Sequence, residues 1–153
     1  VAGLVGITPA AGFVSPASGM LIGAITSSLC YVSVKVKLKL SFDDSLDTFA
    51  VHGVGGTVGA ILTGLFAKAE LISTHPAGLV LAEEGRIGLV LGQFQAVLIA
   101  YGIAAFGTLI IALILKSLGC NYRVEKSEED AGLDISEHGE EAYVERTGSP
   151  NAI

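Results

Sequence analysis

Long uncharged stretches separated by short polar segments dominate the pattern along this chain of 153 residues. The first 34 residues carry no charge, but proline, glycine and serine at 9–16 divide them into two pieces. A helix of about 20 apolar residues crosses a hydrocarbon core of about 30 Å. The pattern therefore predicts an all-α polytopic transmembrane helix bundle, with the end of one span at 1–10 and further spans over about 17–38, 46–67 and 87–116. The polar segment 68–86 is predicted to be a loop.

The alternation of Lys35, Lys37 and Lys39 with apolar residues has two interpretations. A period of two is typical of a β-strand. Beside a membrane span, the same lysines suit a helix end whose ammonium groups reach toward water. We favour the helix end.

Composition supports a membrane protein, since 51% of the residues are hydrophobic, 16% are charged and the mean hydropathy is +0.65. Soluble domains carry about 25% charged residues. Residues 119–153 hold nine acids and three bases, which accounts for the whole net charge of −6. The expected organisation is a transmembrane domain over 1–118 and an acidic tail over 119–153. This charge distribution argues against nucleic-acid binding, which needs clustered basic residues.

Lysine and arginine also predict the orientation in the membrane, because cytoplasmic loops carry an excess of both. The link between the second and third spans and the start of the tail lie on the same side if spans alternate. Both regions are basic, so we expect this side of the membrane, and the tail, to be cytoplasmic. The basic residues concerned are Lys35, Lys37, Lys39, Lys116, Arg123 and Lys126.

The chain begins with Val1 and is apolar from the start, without the basic region of a signal peptide. We expect that it lacks the N-terminal part of a larger protein. The spacing of Cys30 and Cys120 indicates neither a metal site nor a disulfide framework. Both are interpreted as reduced packing residues.

His52 lies inside an uncharged apolar run from Thr48 to Ala67. An ionisable group in a membrane span is costly and usually faces a bundle interior or a wet cavity, which indicates a function. The alternative is a histidine that is merely hydrogen-bonded between packed helices.

On a helix, Gly55, Gly56 and Gly59 share the face of His52. A face without side chains allows a neighbouring helix to approach closely, or it leaves room for something small to pass. Close helix packing is enough to explain most of these glycines, although a conduit would need the same absence of side chains.

The sequence lacks the residues that catalysis, cofactor binding or metal binding would need. We therefore expect no enzyme, no cofactor and no metal. No serine or cysteine nucleophile lies at helical spacing from His52, and the glycines after it lack the Lys-Ser/Thr of a phosphate loop. His75 and His138 fall on opposite sides of the membrane. Asp47 is interpreted as a helix-start acid, with Asp43 and Asp44 as a solvated cap.

In four blocks the chain resembles the Amt/Mep/Rh superfamily of ammonium transporters, Amt branch. The blocks are Gly-Leu-Val-Gly-Ile-Thr-Pro-Ala-Ala-Gly-Phe-Val at 3–14, Asp-Asp-x-x-Asp at 43–47 leading into Phe-Ala-Val-His-Gly-Val-Gly-Gly at 49–56, Thr-Gly-Leu-Phe-Ala at 63–67, and Gly-Leu-Asp-Ile-Ser-Glu-His-Gly-Glu-Glu-Ala-Tyr at 132–143.

The resemblance implies the C-terminal portion of an eleven-helix protomer, usually a homotrimer with one pore per subunit. It implies that His52 is the second of two touching pore histidines, the first of which is outside this sequence. Thr8 matches a pore-side threonine, and Thr48 lies one turn before His52 at a position that is often valine. Thr48 could equally bond its own helix backbone. Asp47 and the three glycines fall at structural or gating positions.

The resemblance also implies that NH₄⁺ is deprotonated at the pore entrance and that NH₃ passes the histidines. The tail matches a regulatory segment that helps to receive a PII-type signalling protein in prokaryotic members. Its matching residues are Gly132, Asp134, Ser136, His138, Gly139 and Tyr143. Ser136 corresponds to a threonine that is phosphorylated in plant relatives, although a serine there could be inert. Two alternatives remain: a membrane-anchored docking module for a PII protein, and an unrelated multi-span subunit.

Overall fold

The structure, a computed structural model, describes residues 1–40, 42–72 and 76–140, without the side chains of 76–84. Within these ranges the chain is helical and contains no strand, which confirms the all-α fold class. Three helices are long and apolar enough to cross a membrane: Pro16–Lys39, Phe49–Phe66 and Gly85–Ser117. The elements are α1 (Ala2–Ile7), a 3₁₀ turn (Thr8–Ala10), α2 (Pro16–Lys39), a π turn (Phe49–Gly53), α3 (Val54–Phe66), α4 (Ala69–Ile72), α5 (Pro76–Ser117), α6 (Lys126–Ala131) and α7 (Leu133–Ser136).

Helix α2 shows why the lysine alternation is not a strand. The Ser15 hydroxyl caps the first turn by accepting the Ser18 N–H at 3.3 Å, and Pro16 occupies the first helical position. The helix then continues through Lys39, where Lys37 and Lys39 in the last turn complement the negative end of the helix dipole.

Helices α1, α2 and α3 pack through glycines. A Cβ on Gly6 would collide with the side chain of Thr26, and a Cβ on Gly59 would collide with the carbonyl of Gly6. A Cβ on Gly55 would lie 3.2 Å from the Cys30 Sγ. The three backbones therefore approach one another closely, and a methyl group at Gly6 or Gly59 would push them apart.

The end of α3 is held by side-chain and backbone groups from elsewhere. The Arg86 guanidinium donates to the carbonyls of Leu65 and Ala67 at 2.7 and 2.8 Å, which satisfies acceptors that a helix end leaves free. The Lys68 N–H donates to the Phe13 carbonyl at 2.9 Å. Beside these contacts lies a small apolar cluster of Ala67, Ile72, Leu89 and Phe13.

The segment 68–86 is more helical than the loop that its polar composition predicts. Helix α4 occupies Ala69–Ile72, and α5 starts at Pro76. Gly85, with φ 71° and ψ −166°, interrupts α5. This conformation favours glycine and separates the polar first part of α5 from its apolar part. The prediction of a loop at 68–86 was therefore wrong for these helical residues.

The chain divides into two compact units, Val1–Ala105 and Phe106–Ile153. In the second unit, the Tyr122 hydroxyl donates to the Ala112 carbonyl. Cys120 is exposed, which corrects its interpretation as a packing residue, whereas Cys30 is buried. Both thiols are free.

Candidate functional site

Asp44 starts the helix that carries His52. Its two carboxylate oxygens accept the N–H groups of Thr48 and Phe49, each at 2.9 Å. These are donors that the first turn of a helix cannot satisfy internally. The prediction that this acid caps the helix is confirmed.

Asp47 makes an ion pair, a role beyond that of the helix-start acid predicted from the sequence. Its Oδ1 meets the Lys37 ammonium, which also donates to the Asp44 carbonyl. The Lys37 side chain is only 10% exposed. Asp47 has φ 54°, a conformation that short polar residues tolerate better than others. The sequence shows both charges, but not that the link between the helices folds back to join them.

His52 lies in the π turn, where backbone hydrogen bonds join residues five apart instead of the four of an α-helix. The Val54 N–H bonds the Phe49 carbonyl, five residues back. Ala50 of this turn is buried, and the Cys30 thiol of α2 contacts the Val51 carbonyl at 3.8 Å. Such turns occur mostly as single insertions in α-helices, frequently at functional sites.

An open groove of about 430 Å³ lies between the His52 segment and α5. His52 is exposed at one wall. The groove is otherwise lined mainly by small apolar side chains, and its polar side chains are those of His52, Thr57 and Tyr101. Its lining residues are His52, Gly53, Gly56, Thr57, Ala60, Ala96, Val97, Ala100, Tyr101 and Ala104.

The three glycines near His52 have two different environments. Gly55 and Gly59 are buried against α1 and α2. Gly56 lines the groove, and a Cβ there would have no neighbouring atom within 4 Å. The packing interpretation therefore fits Gly55 and Gly59, while Gly56 lies beside open space.

Thr8 and Thr48 do not line this groove. The Thr8 hydroxyl donates to the Leu4 carbonyl of its own helix at 2.8 Å. The Thr48 side chain is exposed, and its hydroxyl makes no hydrogen bond to any residue that the structure describes. Their place in a substrate pathway stays a prediction.

Three oxygen atoms beside His52 form a contact that the sequence analysis missed. The Thr57 hydroxyl lies 2.7 Å from the Gly53 carbonyl and 2.6 Å from the Tyr101 hydroxyl. Thr57 follows His52 by five residues, which does not place both side chains on one face of a regular α-helix. A polar Tyr101 within an apolar helix was the one available signal.

Among the residues matched to a regulatory tail, those that the structure describes lie in or beside the short helix α7. Gly132, with φ 95°, ends α6 and begins α7. The Ser136 hydroxyl donates to the Gly132 carbonyl at 3.0 Å, and Asp134 lies beside Gly132. His138 is exposed, and Gly139 has φ 67°. Tyr143, like His75, is outside the described residues.

Charged side chains within α6 and just before it stabilise this helix. Glu125 and Glu128 form a capping box at its start. The Arg123 guanidinium donates to Glu129 at 2.9 Å and lowers the pKa of that carboxyl group. Over the ranges 1–40, 42–72 and 85–140, no three histidine, cysteine or acidic residues form a group that could hold a metal ion.

Three helices long and apolar enough to cross a membrane, with a histidine at the wall of an open groove beside one of them, define the class of polytopic membrane proteins. A sequence profile of the Ammonium Transporter Family matches residues 1–143. The chain belongs to the Ammonium Transporter Family, a family of transporters rather than enzymes.

Individual relatives agree with this family. An ammonium transporter of Bacillus subtilis (strain 168) is 42% identical over 144 residues, which are 94% of this chain and 35% of the relative. Ammonium transporter MEP2 of Saccharomyces cerevisiae (strain ATCC 204508 / S288c) is 37% identical over 158 residues, with 96% of this chain and 30% of the relative covered.

A solved structure shows the same fold. The crystal structure of Saccharomyces cerevisiae Mep2 superimposes with a TM-score of 0.61 at 34% identity, covering 96% of this chain and 33% of that one. The chain thus spans about a third of the length of these relatives.

Proposed function

We propose that the complete product of the gene that encodes this chain transports ammonium across a membrane, with His52 lining the path. The observation that carries this proposal is the position of His52. Its imidazole stands at the wall of an apolar groove in a member of the Ammonium Transporter Family. The names of the relatives from Bacillus subtilis and Saccharomyces cerevisiae support the same substrate.

The chemistry of the substrate explains why a groove of this kind would suit it. An unpaired ammonium ion would pay a large desolvation penalty in an apolar passage. Release of its proton at the entrance leaves neutral NH₃, which costs much less to desolvate. A groove lined by alanine, glycine and valine can admit such a molecule.

His52 would then supply the polar contact on the path. A neutral imidazole offers one hydrogen-bond donor and one acceptor, so it can bind NH₃ without repelling cations. A second histidine, from a part of the protomer outside this chain, would complete the pair that the family resemblance implies. Two adjacent imidazoles can also relay the proton.

The proposal also covers the assembly of the complete protein and its orientation in the membrane. The complete protein would assemble as a homotrimer in the cell membrane, with residues 119–153 in the cytoplasm as a regulatory tail. The basic residues at the C-terminal ends of α2 and α5, and those that follow α5, support this orientation. Docking of a PII-type protein on the tail is a finer proposal, which rests on the family resemblance of residues 132–143.

His52→Ala tests the proposal in cells that lack their own ammonium transporters. In the complete gene product, we expect ammonium-dependent growth and methylammonium uptake to fall by about tenfold or more, because a hydrogen-bonding group on the path is lost. Ser28→Ala is the control, since it removes an exposed hydroxyl that bonds the Ala24 carbonyl of its own helix. Unchanged, pH-independent uptake by His52→Ala would contradict the role of His52. No uptake by the unsubstituted protein would contradict the function.

A further inference from the structure

The hydroxyls of Thr57 and Tyr101 form a chain that ends on the backbone next to His52. The Thr57 Oγ1 is 2.7 Å from the Gly53 carbonyl oxygen, and the Tyr101 Oη is 2.6 Å from the Thr57 Oγ1. The Tyr101 Oη is 3.3 Å from the same carbonyl. Each hydroxyl has one proton. The assignment that uses both short contacts has Tyr101 donating to Thr57, and Thr57 donating to Gly53.

Of these hydrogen bonds, only the one from Thr57 to Gly53 is of a kind common within helices. A threonine hydroxyl often bonds the carbonyl four residues before it, as Thr57 does with Gly53. Tyr101 comes from α5, 44 residues further along the chain. At the other end of α3, α5 supplies Arg86 to the carbonyls of Leu65 and Ala67. Side chains of α5 therefore reach carbonyls near both ends of the His52-bearing helix.

The position of Gly53 makes this contact relevant to His52. Gly53 follows His52 directly and is the last residue of the π turn. Conversion of the π turn to a regular α-helical turn would change the register by one residue, a rotation of about 100°. Groups that hold the Gly53 carbonyl therefore hold the turn, and with it the direction in which the imidazole points.

We propose that Tyr101, acting through Thr57, is a positioning residue that fixes the π turn and thereby aims His52 into the groove. The proposal rests on the proposed function, in which ammonia passes His52. It assigns α5 a part in the pore, although the Tyr101 side chain need not contact the substrate. The groove lining supports it, because His52, Thr57 and Tyr101 all face the same space.

Tyr101→Phe removes one hydroxyl and keeps the ring. In the complete gene product at equal membrane abundance, we expect ammonium uptake to fall about three- to tenfold, the scale of one lost hydrogen bond. The pH profile of uptake should also change, because the imidazole is no longer held in one direction. Thr57→Val should act in the same way, and the double variant should be no worse than Thr57→Val alone. Thr57→Ser should retain uptake, since it keeps the hydroxyl.

Tyr31→Phe is the matched control, because Tyr31 is an exposed residue of α2 whose ring contacts Lys35. It should alter neither uptake nor its pH profile. Normal uptake with an unchanged pH profile in Tyr101→Phe would overturn the proposal. So would equal losses in Thr57→Ser and Thr57→Val.

Hydrogen–deuterium exchange separates this proposal from the proposed function. In the purified complete protein, Tyr101→Phe should speed exchange of the amides of residues 49–57 and leave those of residues 20–30 unchanged. Faster exchange in a protein that transports no ammonium would sustain the positioning role and discard the function. Unchanged exchange at residues 49–57 would discard the positioning role.

Discussion

At the scale of single residues, the three glycines beside His52 show that one residue type serves two purposes. Gly55 and Gly59 allow close packing against α1 and α2, whereas Gly56 borders the groove. The helical spacing places all three near His52, and it does not distinguish them. The difference arises from which neighbouring helix each glycine meets, and that information is absent from a local pattern.

Gly59→Ala should destabilise the complete protein, because the new Cβ would collide with the Gly6 carbonyl. Overpacking of this kind costs about 1–3 kcal/mol. The measurement is thermal aggregation in detergent, and Gly56→Ala is the control because its Cβ would enter open space. Equal losses of thermal stability in the two variants would show that the close contact is unimportant.

At the scale of the elements, the long helices could be predicted because length and lack of charge alone define them. The π turn could not be predicted, because the residues Phe-Ala-Val-His-Gly are compatible with α-helical as well as π-helical hydrogen bonding. The Arg86 contact joins residues about 20 apart, which no local pattern reveals. The Asp44 cap was predictable, since capping depends on the adjacent sequence.

Asp44→Ala should weaken the start of the His52-bearing segment by about 0.5–2 kcal/mol, the usual cost of a lost N-cap. The amides of Thr48 and Phe49 should exchange hydrogen faster, because both lose their acceptor. Ser45→Ala, an exposed neighbour, is the control. Unaltered amide exchange in Asp44→Ala would show that the cap does not stabilise this segment.

At the scale of the whole molecule, charge and hydropathy predicted a membrane protein, and the family match agrees. The groove at His52 could not be derived from the sequence, because it depends on the separation of α3 and α5. The side of the membrane on which the tail lies stays a prediction from the lysine and arginine distribution.

Cys120 provides a test of this orientation, since it is exposed just after the last apolar helix. In intact cells, a membrane-impermeant maleimide should leave Cys120 unlabelled, and permeabilisation should allow labelling. The Cys120→Ser variant of the complete protein identifies the signal from this thiol. Labelling of Cys120 in intact cells would place the tail outside and reverse the predicted topology.

Lys37 couples two parts of the chain mechanically. Its ammonium bridges to Asp47 and Asp44, so the last turn of α2 is fastened to the residues from which the π turn starts. The Asp47 carbonyl in turn accepts the Val51 N–H at 2.8 Å. A sliding movement of α2 along its axis would therefore act on the turn that carries His52 through the ion pair between Lys37 and Asp47.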